Sequence, residues 1–158
     1  MVLDVIVEIP KGSQNKYEVD HETGRIRLDR VLYSPFHYPT EYGFIEDTLA
    51  EDGDPLDVLL LISQPTFPGC IVSARVIGLL EMSDDKGPDN KVLAVADKDP
   101  RYDGINDVQD VHPHILKEIS HFFMHYKDLE NKVSRVGAWH GPDAAEKEIA
   151  ASKQRAHG

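Results

Sequence analysis

The run Glu51-Asp52-Gly53-Asp54-Pro55-Leu56-Asp57 places three aspartates within six residues, just ahead of the apolar stretch Val58-Leu59-Leu60-Leu61-Ile62. Gly53 lets the backbone bend without steric cost and Pro55 fixes its own φ, so the loop is stiff. Carboxylates crowded in this way repel one another, and a divalent cation removes that repulsion. Carboxylate oxygens are the ligands that hard ions such as Mg²⁺ prefer, and Mg²⁺ keeps several of its waters. An EF-hand loop does not fit, because the twelfth position counted from Asp52 is Ser63 and not Glu. A solvated acidic turn has the same composition, so this motif decides nothing alone.

A second acidic patch, Asp84-Asp85-Lys86-Gly87-Pro88-Asp89-Asn90-Lys91, lies between two strand candidates. If both acidic turns adjoin strand ends of one small barrel, they can converge at one mouth. Lys16, Arg30, Tyr38, Tyr42, Tyr126 and Lys127 supply donors for an anion. Lys16 and Glu18 share a strand face by parity. Parity also puts Arg30 on the side of Ile26 and Leu28, so it can act only if it emerges at the open end. His121 and His125 stand four residues apart and mimic a zinc pair, but Phe122 occupies the position where a zincin needs Glu. A contact between subunits suits these histidines better.

The elements that must position these groups change character along the chain. Leu3, Val5, Val7 and Ile9 alternate with Asp4, Ile6 and Glu8, the period of a strand, which Pro10-Lys11-Gly12 ends. A hairpin follows, with Lys16–Asp20 and Arg25–Arg30 as arms and His21–Gly24 as its turn. Leu32 to Gly43, with Pro35 and Pro39, reads as an irregular loop. Residues 58–62, 70–80 and 91–96 read as further strands. From His112 the spacing of Ile115, Ile119, Phe122, Phe123 and Tyr126 is helical, with Pro113 in the first turn. A second helix is expected from Pro142 to about Arg155. Short strands followed by helices predict a mainly β fold, a small barrel with helices packed outside, and one domain over residues 1–158.

The 17 Lys and Arg against 28 Asp and Glu give a net charge of −11. That balance argues against nucleic-acid and anionic-membrane partners. It also means that an anionic substrate needs cations or a focused basic cluster to invert the local field. Cys70 is the only cysteine, so no intrachain disulfide forms, and its apolar neighbours predict a buried thiol. No apolar run reaches the roughly 20 residues of a membrane span, and Met1-Val2-Leu3-Asp4 does not resemble a secretory leader, so the cytoplasm is expected.

The stretch Asp52–Asp57 resembles the D-G-D-P-x-D signature of the soluble family I inorganic pyrophosphatases in their short bacterial form. Glu8–Gly12, Asn15–Asp20, Tyr38–Ile45 and His121–Glu130 resemble other blocks of that family and occur in its order. The resemblance implies an OB-like five-stranded β-barrel with flanking helices, a homohexamer, Mg²⁺ as cofactor, and pyrophosphate and phosphate as ligands. It implies that Asp52, Asp57 and Asp89 hold a first metal, with Asp57 shared by a second. Asp84 and Asp89, helped by Glu18, would take metal arriving with substrate, and Glu8 would act through metal-bound water. Lys16, Arg30, Tyr42, Lys91, Tyr126 and Lys127 match phosphate-binding positions, and Tyr38 matches a tyrosine near the site. Lys86 and Pro88 depart from residues that some relatives carry there, and His21 stands in a turn near the site.

Together these readings point to direct in-line attack by a metal-activated water, without a covalent enzyme intermediate. Two metals about 4 Å apart can share and acidify one water. Asp54, between two metal-binding aspartates, is the expected base, also close to the metals; Asp89 is the alternative. Three rivals share parts of this pattern: a nucleic-acid-binding barrel module, a calcium-binding structural domain and another two-metal phosphohydrolase.

Overall fold

In a computed structural model, which describes residues 1–158, strand β1 (Val2–Ile9) is paired on both edges. One partner is β4 (Glu41–Phe44) and the other is β6 (Ile71–Asp84), both antiparallel. β4 pairs with β5 (Asp57–Leu61), which runs parallel to β8 (Lys91–Ala96), and β8 returns to β6. The order β1-β4-β5-β8-β6 therefore closes on itself as a five-stranded barrel, which leaves no open sheet edge among these strands. β6 is long enough, at 14 residues, to pair again beyond the ring with β7 (Gly87–Pro88) and β9 (Ser134–His140). The hairpin of β2 (Asn15–Val19) and β3 (Ile26–Val31) forms a separate two-stranded sheet.

The apolar run of β5 is explained by burial on both faces. Val58 and Leu60 join one buried cluster, with Val92, Ala94 and Val76. Leu59 and Leu61 join the other, with Leu93, Val95 and Leu80. Helix α1 (Pro113–His125) closes the second cluster with Ile119, Phe122 and Phe123. Each such buried side chain contributes about 1.5–3 kcal/mol. Helix α2 (Pro142–His157) closes the first with Ala145 and Ile149. The helical spacing is therefore right, except that Ile115 turns to solvent and Leu116 packs in its place. No helix is long and apolar enough to cross a membrane.

Several expectations need correction. Residues 41–44 are strand β4 and not loop, because closing the ring requires a partner between β1 and β5. Strand β9, over Ser134–His140, is not anticipated, because its sequence shows no regular apolar alternation. Cys70 is half-buried at the start of β6 and not enclosed.

Two interruptions of register matter most. β1 slips against β4 between Val7 and Ile9, so Glu8 is an extra residue there. Val5 and Val7 consequently face one core cluster while Ile9 faces the other. β3 slips against β2 so that Lys16 pairs with Arg30 and Tyr17 with Leu28, leaving Asp29 as the extra residue. This bulge cancels the parity objection to Arg30, which emerges beside Lys16 and away from the exposed Ile26 and Leu28.

Gly43 pairs with Val7 where β4 crosses the first slip, and a Cβ there would overlap the Ile6 carbonyl. Gly43→Ala is expected to cost about 2–3 kcal/mol through overpacking. The urea midpoint should fall with an unchanged m-value, and a midpoint equal to the parent's would contradict this view of the β1–β4 crossing.

Candidate active site

β5 and β8 are parallel, so their first residues, Asp57 and Lys91, lie at the same end of the barrel. Asp52 and Asp54 precede β5 in a tight turn. The Gly53 amide bonds to the Ala50 carbonyl (3.1 Å), with Gly53 at φ +91°, and Asp52 accepts from the Asp54 amide (3.0 Å). Only a residue free of a Cβ takes that φ without strain. Asp84 ends β6, Asp89 lies between β7 and β8, and the first slip presents Glu8 from β1. The hairpin brings Lys16, Glu18, Asp29 and Arg30, and the end of α1 brings Tyr126 and Lys127.

All of these acidic side chains, with Lys16, Arg30, Tyr126 and Lys127, line one cavity of about 320 Å³. It holds each anticipated site residue except Lys91, which lies beneath its floor with a side chain 1% exposed. Tyr38 is buried alongside, packed on Tyr42 and Phe122, and does not reach the cavity. His21 lines the rim, edge-on to Phe44. Lys86 lines it too, as do Asp29 and Lys132, which the sequence reading did not single out. Asp29 carried a signal, since it adjoins Arg30 on the strand facing Lys16. Lys132 gave none, being one more lysine in a polar turn.

The floor is a charge cluster. The Lys91 ammonium donates to Asp57 (2.9 Å), Asp89 (3.2 Å) and the Tyr42 hydroxyl (2.9 Å), while Tyr42 donates to Asp57 (2.7 Å). All three Lys91 protons are thus engaged. Burial alone would push this lysine down, but the two carboxylates hold it above its usual range and protonated. Tyr42 is pushed well above an ordinary phenol by burial, then by Asp57 and Asp89, and Tyr126 is pushed up to about 12 by burial.

On the acidic wall, burial raises Asp89 to about 6, opposed by Lys91 and reinforced by Asp57. Burial raises Glu8 to about 7, although the Val19 amide donates to it (2.8 Å). Asp52 is also raised, by burial first and then by Asp54 and Asp57. On the opposite wall Lys16 sits 3.3 Å from Asp29 and 3.9 Å from Glu18, and Arg30 pairs with Asp29 and Glu130. Lys127 lies over the Tyr126 ring and is lowered, chiefly by burial.

No three of the carboxylates stand close enough together to enclose a bare cation. The Lys91 ammonium occupies the position between Asp57 and Asp89, and the remaining acids stay apart by repulsion. The donor set still fits a hard ion: every candidate ligand is a carboxylate oxygen, and a ring of this looseness suits Mg²⁺ that keeps its waters.

The histidines lie elsewhere. His37, His114 and His121 line a wider cleft of about 630 Å³ between residues 35–39 and α1, where Glu118 is the only carboxylate. The His121 and His125 rings are 4.8 Å apart, and His125 meets Asp128 at 2.9 Å, so neither joins the acidic cavity. Trp139 donates to Ser120 on α1 (3.1 Å), away from the acidic cavity.

Barrel and cavity together define a β-barrel protein with one highly charged site, acidic on one wall and cationic on the other. The sequence model of the family described as inorganic pyrophosphatase matches residues 5–157. An inorganic pyrophosphatase of Geobacillus stearothermophilus is 53% identical over 148 residues, covering 94% of this chain and 90% of that protein. One from Streptomyces coelicolor is 54% identical over 156 residues, covering 98% and 96%. The crystal structure of the inorganic pyrophosphatase from Thermus thermophilus superposes with a TM-score of 0.96 at 48% identity, over 99% of this chain and 92% of that one. The chain belongs to the inorganic pyrophosphatase family.

A carboxyl raised by folding binds more protons in the folded than in the unfolded state between its two pKa values, so stability rises as pH falls through that window. For Glu8 and Asp89 the window runs from near 4 up to about 7 and about 6. Metal-free protein in EDTA should therefore show a higher Tm at pH 5.5 than at pH 8, and saturating Mg²⁺ should abolish or reverse the difference. A flat Tm in EDTA over this range would contradict the crowding of these acids.

Proposed function

We propose that residues 1–158 act as one domain that hydrolyses inorganic pyrophosphate to two phosphates with Mg²⁺ as cofactor. The observation that carries this is the two-walled cavity, in which Glu8, Asp52, Asp54, Asp57, Asp84 and Asp89 face Lys16, Glu18, Arg30, Tyr126 and Lys127. Asp52, Asp57, Asp84 and Asp89, supported by Glu8 and Glu18, would hold the cations. Bound there, divalent ions supply positive charge against the substrate oxygens and lower the pKa of water.

The residues divide the remaining work. Asp54 is exposed at the cavity mouth and its carboxylate accepts no hydrogen bond from the protein, so it is free to take a proton from the attacking water. Asp89, bound to Lys91, is the less available alternative. Arg30 and Lys127 meet the developing charge of the leaving phosphate, Arg with a planar fork of donors. Tyr126 supplies a hydroxyl donor that stays protonated throughout the neutral range. Asp57 and Asp89, when given over to holding a divalent ion, would leave the Lys91 ammonium and the Tyr42 hydroxyl able to donate to the anion. No side chain needs to form a covalent bond to phosphorus.

We place the enzyme in the cytoplasm and as a homohexamer, with neither nucleic acid nor membrane as partner. The net charge of −11 supports the last point, and the exposed apolar residues Leu28, Val31, Tyr33 and Phe67 support assembly. His121 and His125, beside Phe36 and Asp128, then belong to a subunit contact.

Phosphate release from pyrophosphate is expected with Mg²⁺ and not with EDTA or with Ca²⁺ in place of Mg²⁺. Ca²⁺ binding without phosphate release under any metal would favour a structural calcium domain, and release from many phosphate esters a broader phosphohydrolase. Asp54→Asn should lower kcat by about 10²-fold or more, the loss of a general base; near-parental turnover removes Asp54 from that role. The assembly mass should change between pH 5 and 8 as imidazoles protonate, and a constant mass counts against the histidine contact.

A further inference from the structure

Glu130 belongs to no part of the chemistry described so far, yet its side chain is only 6% exposed. It stands in the tight turn after α1, where its amide bonds to the Lys127 carbonyl (3.0 Å) and Asn131 adopts φ +57°. One carboxylate oxygen lies 2.9 Å from Arg30 Nε as an ion pair, while the other oxygen and Arg30 Nε itself are buried without a hydrogen-bond partner. A desolvated carboxylate with an unsatisfied oxygen is costly, and the only cation beside it is Arg30.

Two carboxylates flank the guanidinium. Asp29, the extra residue of the β3 slip, binds Nη1, and Glu130 faces Nε from a different element. The donors on Nη2 are left without a protein partner. This matters because the β2–β3 hairpin is not part of the barrel sheet. Lys127 and Tyr126 reach the cavity from the end of α1, and Arg30 from the hairpin. Glu130, three residues beyond Lys127, is the link that relates the two.

We propose that Glu130 is a positioning residue, which orders the Arg30 guanidinium beside Lys127 so that its free edge is set for a phosphate group before the anion arrives. This rests on the phosphate-binding role of the cavity argued above. Holding a long side chain in its bound geometry removes an ordering cost from each binding event, which corresponds to about 3–10-fold in affinity.

The test is calorimetric titration of inorganic phosphate in the presence of Mg²⁺, with Mg²⁺ affinity and Tm measured alongside. Arg30→Lys comes first: unchanged phosphate affinity in that variant would overturn the cavity reading itself. With that established, Glu130→Gln in the Arg30 protein should weaken phosphate about 3–10-fold and leave Mg²⁺ affinity unchanged. In the Arg30→Lys background the same change should have no further effect, since the fork it orders is gone. Glu130→Asp, which keeps the charge but withdraws it by one methylene, should weaken phosphate in the same direction and serves if the Gln variant does not fold. Phosphate affinity unmoved by either substitution, or an equal loss with Arg and with Lys at position 30, would overturn the proposal. So would a parallel loss of Mg²⁺ affinity, which marks a merely structural tie.

Discussion

A single buried ammonium governs the mouth of this barrel. Lys91 is all but sealed from solvent, and its three protons are divided between Asp57, Asp89 and Tyr42. Two carboxylates this close and this dry would repel, and an ammonium this dry would deprotonate; each is tolerable only because of the other. The parallel pairing of β5 and β8 makes the arrangement possible, because it sets the first residues of the two strands side by side. An antiparallel pair would put them at opposite ends.

From that cluster outward, the site is assembled by departures from regular structure. The slip in β1 presents Glu8, the slip in β3 brings Arg30 round to Lys16, and the Gly53 turn stacks Asp52 against Asp54. The regular elements supply a rigid frame with two helices closing its two apolar faces. Each irregularity then re-aims one or two charged groups at the cavity. The result is an acidic wall facing a cationic one in a molecule whose net charge is −11. Pyrophosphate, itself an anion, meets an acidic wall there, and on the proposed reading bound cations reverse its field.

Much of this was legible in the amino-acid order, for physical reasons. The unbroken apolar run of β5 signals burial on both faces, and the periodicity of α1 signals one apolar stripe. Asp52, Asp54 and Asp57 stand out as a dense group of carboxylates stiffened by Gly and Pro, although a solvated acidic turn has the same composition. The clustering of remote residues became readable only through resemblance to a family, since nothing in composition brings Asp84 to Glu18. The slips were hidden. Strict alternation put Arg30 on the wrong face, because a bulge leaves no mark when the inserted residue, Asp29, is as polar as its neighbours. The strand over residues 41–44 was masked by the prolines before it, and the engagement of Lys91 by carboxylates depends on strand order that one sequence does not disclose.

The most direct test of the central claim is calorimetric titration of methylenediphosphonate, a pyrophosphate analogue that cannot be hydrolysed, into the protein with Mg²⁺ and with EDTA. Cations that reverse the field of the acidic wall predict saturable binding with Mg²⁺ and no detectable binding in EDTA. Equal affinity in both would contradict this, and would mean that the lysines and arginine of the cavity suffice to hold the anion without any metal.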